Sequence, residues 1–235
     1  MAPGAEGDGG GMTTVLLRFE APMMSFGAAR IDAHDRAGAI PTASMITGLF
    51  GCALGIPRRD GATLQAIQDA IRIAVAIERQ GRVLEDYQTA DLGKPFLRGP
   101  MWTVEGTAVE RAGSAITETR QQWRQYVADG AVVAAVALGD DFPATLDDLA
   151  HAMEYPAHPL CIGRVTCPPA GMIWRGVDDG DMLDALNNAA DAQEFYLPIP
   201  EYHAEIGDLL VTVNGRKNWR SDQHIGAETY IRRAA

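Results

Sequence analysis

With 235 residues and 25.2 kDa the chain can bury a substantial core, as one large domain or two small ones, and 47% hydrophobic with 22% charged residues excludes disorder as its main theme. A net charge of −11 repels phosphate at long range, which weighs against a free nucleic-acid binder but leaves room for a local basic groove. No apolar run reaches the roughly 20 residues that cross a bilayer, and the start MAPGAEGDGGG lacks a basic-then-hydrophobic pattern, so no membrane role and a cytoplasmic location are expected.

Residues 1–12 are glycine-rich and are expected to be a disordered tail. Thr13 to Glu20, TTVLLRFE, reads as a strand, and its VLL run as an inner strand of a covered sheet. From Ala21 to Ala39 periodicity disappears. Pro22, Gly27 and Gly38 break the chain, while Ser25, Phe26, Arg30, His34 and Arg36 supply hydroxyl, ring and positive groups. Such a loop can hold phosphates with its amides and cations, helped by a helix N-terminus behind it. It matches neither the phosphate-loop pattern of nucleotide hydrolases nor a dinucleotide fingerprint.

The stretch around which the rest is arranged is Ile40 to Asp60, IPTASMITGLFGCALGIPRRD. Pro41 suits a helix start, Thr42 or Ser44 can cap it, and Met45, Ile46, Leu49, Phe50, Ala53 and Leu54 recur at helical spacing before Gly55 and Pro57 stop it. Gly48, Gly51 and Gly55 fall near one side of this helix. A mid-helix glycine costs about 1 kcal/mol against alanine, so the interior pair implies close contact, with a neighbouring element or with a ligand backbone. Arg58 and Arg59 beyond the stop and Ser25-Phe26-Gly27 before the helix favour a ligand.

Thr63 to Ala70 adds helical turns, and Ile71 to Ile77 reads as the second strand. The segment from Arg82 to Arg124 has little periodicity, many glycines and prolines and charge of both signs. It reads as a long hairpin excursion, with MWTVEGTAV as one strand, of a length that is uncommon unless it binds something. Trp123 to Leu138 returns to the sheet, with AVVAAVAL as a buried strand, Thr145 caps a helix from Leu146 to Met153, and 156–169 is a constrained crossover. With a last strand expected soon after, this order is the split βαβ of a ferredoxin-like, RRM-like α+β domain spanning 13–169. Residues 170–235 read as a small, mostly β C-terminal lobe with a helix at Met182–Ala190 and a tight-turn signal at Asn214-Gly215.

Cys52, Cys161 and Cys167 cannot all pair with one another, and no histidine pair follows at finger spacing. They read as structural, with no disulfide framework, metal site or cofactor. The acidity is uneven: Asp140, Asp141, Asp147, Asp148 and Asp178, Asp179, Asp181, Asp184 carry much of it, while Arg216, Lys217, Arg220, Arg232 and Arg233 make the end locally basic.

LLRFEAPMMSFG at 16–27, the stretch at 40–60, EDYQTAD at 85–91, TRQQWRQYVADGAVVAAVAL at 119–138 and HPLCIGRVTCPP at 158–169 together resemble the CasD subunit family of type I-E CRISPR Cascade. The resemblance implies a role rather than an activity. Such a subunit is a non-catalytic cap on the 5′ handle of a CRISPR RNA. A thumb, here at about 86–122, reaches toward the CasC backbone subunit, the large subunit CasA docks nearby, and target DNA is met through the assembled complex. Ser25 and Gly27 match the loop after the first strand, Pro41, Thr42, Ser44, Gly48 and Leu49 the helix start, and Gly163 with Arg164 a turn expected to meet RNA. Cys167 and Pro168 complete that turn as structural members. Phe26 stands where the family usually has tryptophan, and Ala43 and Val165 where it is commonly basic.

The further candidates for phosphate neutralisation are Arg36, Arg58, Arg59, Lys94, Arg98, Arg120 and Arg124. Phe26, Tyr87 and Trp102 are candidates for stacking on splayed bases, and Trp102 with Met101 equally for burial against CasC. Two other functions remain in play. One is a metal-independent endoribonuclease acting on repeat RNA, for which His34, Lys94, Tyr87 and His203 are the available groups at no readable spacing. The other is a protein-only scaffold whose RNA surface has decayed.

Overall fold

The computed structural model describes residues 13–31, 33–91, 101–102, 108–109 and 119–235. Two long strands organise it: β1, Thr13–Met24, and β8, Thr119–Leu138, paired antiparallel from Thr13 opposite Leu138 to Met24 opposite Val127. β4, Ile71–Arg79, pairs with the other side of β8, and β9, Trp174–Asp178, with the other side of β1. Beyond β4 come β10, Glu194–Pro198, then β14, Glu228–Ala234, then β11, Leu209–Val213. The result is a mixed α+β fold in which one sheet runs β11-β14-β10-β4-β8-β1-β9.

Both faces of the central strands are covered, which is why their sequences read as unbroken apolar runs. Val15, Leu17, Phe19, Ile73, Val75, Ile77, Val132, Ala134 and Val136 point into one core. It is shared with α1, Ala43–Ala53, α2, Gly61–Asp69, and α3, Leu146–Glu154. The alternate residues Leu16, Ala74, Ala76, Val133, Ala135 and Ala137 meet Ala185 and Leu186 of α4, Met182–Ala189, on the opposite face. Alanine dominates that second face, so the helix can lie close to the sheet.

Several expectations change here. The segment 21–39, read as a loop, carries β2, Gly27–Ile31, and β3, His34–Ala37. These form a hairpin whose second strand runs parallel to β8. GMIWRG, assigned to the C-terminal lobe, supplies β9 beside β1, and β10, β11 and β14 extend the same sheet. Asn214-Gly215 is not a hairpin turn, because β11 pairs with β14 whereas β12, Lys217–Asn218, pairs with β13, Gln223–His224. Gly215 instead lies against the start of α1, its carbonyl accepting the Ser44 amide at 2.8 Å.

The first half of β8 pairs with β5, Arg82–Asp91, in register from Arg82 opposite Ala128 to Asp91 opposite Thr119, a ribbon that β3 joins on the other side of β8 at Trp123 and Arg124. MWTVEGTAV, expected as one strand, carries two: β6, Met101–Trp102, pairs antiparallel with β7, Ala108–Val109. Lys94 and Arg98 lie outside the described residues, as do 103–107 and 110–118 of the expected excursion.

Candidate nucleic-acid interface

α1 starts as its sequence requires. Thr42 is the N-cap, its Oγ1 accepting the Met45 amide at 3.3 Å, and Gly55, at φ +71°, ends the helix. Pro41 therefore precedes the cap rather than opening the helix. Of the first-turn amides, Ser44 N donates to Gly215 O and Met45 N to Thr42 Oγ1, while Ile46 N makes the helix's own bond to Thr42 O. The expectation that this helix end receives phosphate on open amides is narrowed accordingly: two of its donors are taken, and Thr42, 1% exposed, is committed to capping.

What the helix does offer is a side wall. The two interior glycines separate by role: a Cβ on Gly51 would sit 2.6 Å from Leu64 Cδ2, so that glycine lets α1 and α2 touch. A Cβ on Gly48 would meet nothing nearer than Trp219 Cη2 at 3.8 Å, and Gly48 opens onto a cleft of about 870 Å³.

That cleft collects most of the candidates chosen from sequence. Ser25 and Gly27 line it from the end of β1 and start of β2, and Arg36 from β3. Thr42, Ser44 and Gly48 come from α1, Arg58 from the turn after it, and Gly163 and Arg164 from the crossover. Gly163 is fixed by close approach: at φ +85°, its missing Cβ would lie 1.7 Å from Ser25 O, beside a hydrogen bond from Ser25 N to Ile162 O of 3.1 Å. The sequence reading missed Asn214, Lys217, Trp219, His224 and Gly226, which close the cleft from the C-terminal segment. The signal was present in the basic, tryptophan-containing RKNWR, yet its position opposite α1 is a long-range property.

Four cationic side chains line the cleft, Arg36, Arg58, Arg164 and Lys217, against one acid, Asp35. Arg36 is exposed and makes no ion pair among the described residues. Arg164 is held on three sides. Its guanidinium carbon lies 4.8 Å from the Tyr126 ring centroid, Nη1 donates to Gln125 O at 3.2 Å, and Nη2 is 3.6 Å from Asp35. Arg58 pairs with Asp222 at 2.5 Å, and the buried Lys217 ammonium pairs with the same carboxylate. Burial works to raise the Asp222 pKa, but Lys217 and Arg58 outweigh it and hold the group below its ordinary value.

Other candidates fall elsewhere. Phe26 is fully buried and meets Phe19 edge to face at 6.3 Å, so its expected stacking on a base is corrected: the ring belongs to the core. Arg59 lies on a second, smaller cleft with Arg220. Arg124 is on the ribbon, bonded to Gln122 and 3.7 Å from Asp35. Tyr87, about half exposed, tilts onto Trp123 at 5.0 Å, and His34 stacks on Trp123 at 4.7 Å. Two of the four groups considered for RNA cleavage are thus brought near one indole. They arrive from opposite flanks, since β3 and β5 pair on different sides of β8, while the His203 carbonyl accepts from Arg233 at the far edge. Arg120 lies opposite Ala90 in the ribbon register, and Met101 and Trp102 form β6. Val165 is 89% exposed on the cleft rim, and Ala43 is buried at the helix start.

Among the described residues no group of histidine, cysteine and acidic side chains could hold a metal ion, and no helix is long and apolar enough to cross a membrane.

Comparison with known proteins places this geometry. The CasD subunit of the Cascade CRISPR system of Escherichia coli (strain K12) is 30% identical over 162 residues, 69% of this chain and 70% of that protein. A chain of a solved CRISPR RNA-guided surveillance complex superposes with a TM-score of 0.63 at 22% identity, covering 94% of this chain and 89% of that one. A Cas protein crystal structure gives 0.57 at 21% identity, with 94% and 93% covered. At those identities the two structures speak for the fold. The family model for CRISPR-associated protein (Cas_Cas5) matches residues 14–224, and the chain belongs to the Cas5/CasD family of CRISPR-associated proteins.

Proposed function

We propose that this chain is a non-catalytic subunit of a type I-E CRISPR surveillance complex that caps the 5′ handle of the crRNA and anchors the CasC backbone and CasA large subunits for interference with target DNA. The observation that carries the reading is the convergence of Ser25, Gly27, Arg36, Ser44, Gly48, Arg58, Gly163 and Arg164, from five separate stretches of chain, on one cleft with a cationic excess. Its chemistry on this reading is phosphate neutralisation without base reading, by arginine and lysine beside a wall of small residues. The E. coli relative's name as a Cascade subunit supports placing the chain in such an assembly.

The central strand order β4-β8-β1-β9, antiparallel throughout, with helices in the crossovers, supports a ferredoxin-like reading of the core. The β5–β8 ribbon supports a thumb built on 82–128. On this reading Met101 and Trp102 at β6 face CasC.

The endoribonuclease alternative needs two groups to move protons around one 2′-hydroxyl. His34 and Tyr87 flank Trp123 from opposite sides, which favours a stacking surface over an acid–base pair. Ultraviolet cross-linking of the assembled complex tests the assignment. Label from this subunit concentrated on the RNA 5′ end is expected. Label spread evenly along the guide, or none, refutes capping and favours the protein-only scaffold; shortened repeat RNA made by the isolated chain refutes the non-catalytic role.

A further inference from the structure

Beside the main cleft lies a second one of about 400 Å³, lined by Arg58, Arg59, Gly61, Trp219, Arg220 and Asp222. The two share Arg58 and Trp219 as a common wall. The smaller cleft is constructed rather than incidental. A Cβ on Gly61 would fall 2.5 Å from Trp219 O and 3.2 Å from Arg220 Cα, so only glycine lets the 219–220 backbone lie against the start of α2. That contact brings Arg220 beside Arg58 and Arg59.

The indole is fixed from below, its backbone N donating to Gln65 Oε1 at 3.1 Å and Nε1 to Gln68 Oε1 at 3.3 Å. Asn218 Oδ1 accepts the Arg220 and Ser221 amides at 3.0 and 3.1 Å, setting the turn that carries Arg220.

The charges are unbalanced. Asp222, a non-glycine residue at φ +59°, bridges Arg58 and Lys217. Asp60, the other acid nearby, is occupied in capping α2 through Thr63 N and Oγ1. Arg59 and Arg220 are exposed and make no ion pair among the described residues. Two exposed arginines that line one cleft without an ion pair among the described residues, in a chain of net charge −11, suit an anion that arrives from outside.

We propose that the cleft of Arg58, Arg59 and Arg220 is a second phosphate subsite, taking a backbone phosphate of the same single-stranded RNA as it leaves the main cleft past Trp219. Asp222 is its internal counter-ion, holding Arg58 and Lys217 until a phosphodiester takes its place. This rests on the RNA-capping reading and adds to it a path and a direction.

The test measures binding of a labelled single-stranded RNA carrying the 5′ handle to the full-length chain across a salt series, with thermal melting of each variant alongside. The Arg59→Ala/Arg220→Ala double variant is expected to melt as wild type, to lose roughly tenfold in affinity at ~0.15 M salt, and to have a salt slope shallower by about 0.7, the share of the one phosphate the subsite holds. Asp222→Asn keeps a residue type that accepts left-handed backbone and is expected to tighten binding roughly threefold. Asp179→Asn, the same charge change outside both clefts, is expected to leave binding unchanged.

Binding of the double variant within twofold of wild type overturns the subsite. So does tightening by Asp179→Asn equal to that by Asp222→Asn, which reduces the effect to net charge. Failure of the wild-type chain to bind the handle overturns the capping reading instead, so the two failures are told apart.

Discussion

Replacing Gly48 and Gly51 separately by alanine separates a packing glycine from a ligand-facing one on a single helix. Each substitution gains about 1 kcal/mol of helix propensity. At Gly48 the new methyl meets only Trp219 Cη2 at 3.8 Å, ordinary contact, so about 0.5–1 kcal/mol of that gain survives, raising Tm by roughly 1–4 °C for a chain of this size. At Gly51 the methyl would stand 2.6 Å from Leu64 Cδ2, in a side chain packed between two helices, and overpacking of this kind costs about 1–3 kcal/mol. Gly51→Ala is therefore neutral to destabilising by up to ~2 kcal/mol.

RNA binding orders the pair the other way. Gly48→Ala puts a methyl into the cleft and is expected to weaken handle binding while stabilising the fold; Gly51→Ala leaves the cleft wall untouched and binds as wild type. Thermal melting and an RNA titration on both variants decide it. A Gly48→Ala protein that melts below Gly51→Ala refutes the assignment of the helix faces. One that melts higher and binds RNA unchanged refutes close approach of the RNA backbone to α1.

Gly163→Ala combines a left-handed backbone with a clash against the Ser25 carbonyl, and is expected to cost about 2–4 kcal/mol, seen as a Tm drop on the order of 5–15 °C; melting within ~1 °C of wild type contradicts the geometry. Arg36→Ala is expected to change stability by less than ~0.5 kcal/mol while making the RNA salt slope shallower by about 0.7. Arg164→Ala also loses its contacts to Tyr126 and Gln125 and is expected to cost about 1–2 kcal/mol, so equal melting of these two variants removes the positioning role given to Arg164. On acidification, Glu20 beside Arg79 and Arg18, Asp60 bonded to Thr63, Asp208 held by Arg233, and Asp222 are all below their ordinary pKa. The unfolded chain therefore takes up protons first: the stability they contribute is whole above pH ~4.5 and is lost as pH falls through the depressed values. The urea midpoint is expected to drop on that limb, less steeply in Asp208→Asn, and a midpoint that rises with acid contradicts these pairings.

Local chemistry made much of this legible. The Thr42 cap, the α1 periodicity, the Thr145 cap and the two-sided apolar runs of β1 and β8 are written within a few residues of where they act. The first four residues of β8, TRQQ, fall in the expected excursion because the ribbon they form with β5 shows no clean apolar alternation. Phe26 reads as available because it sits between a serine and a glycine, whereas the edge-to-face contact with Phe19 of β1 holds it in the core. The C-terminal strands were assigned to a separate lobe because nothing in EFYLP names β4 as its partner. The same limit hid one wall of the cleft: Lys217 and Trp219 are held there by the bonds of their segment to Gln68 and Gln65 of α2 and by the Ser44 amide on Gly215.

The acidity that argued against nucleic acid is resolved by distance. Asp140 and Asp141 precede α3, Asp147 and Asp148 lie in its first turn, and Asp178, Asp179, Asp181 and Asp184 lie around the start of α4; none lines either cleft. At physiological salt a charge is screened beyond about 8 Å, so what a phosphate inside the cleft feels is set by the arginines and lysine there, and the remote acids act mainly on encounter. A protein so arranged disfavours random RNA approaching any face while holding a strand already delivered to one groove. That division needs the groove to be rigid before RNA arrives. The spent amides of α1, the Gly163 contact on Ser25 and the Gly61 contact on Trp219 each fix one wall of it by backbone rather than by side chain.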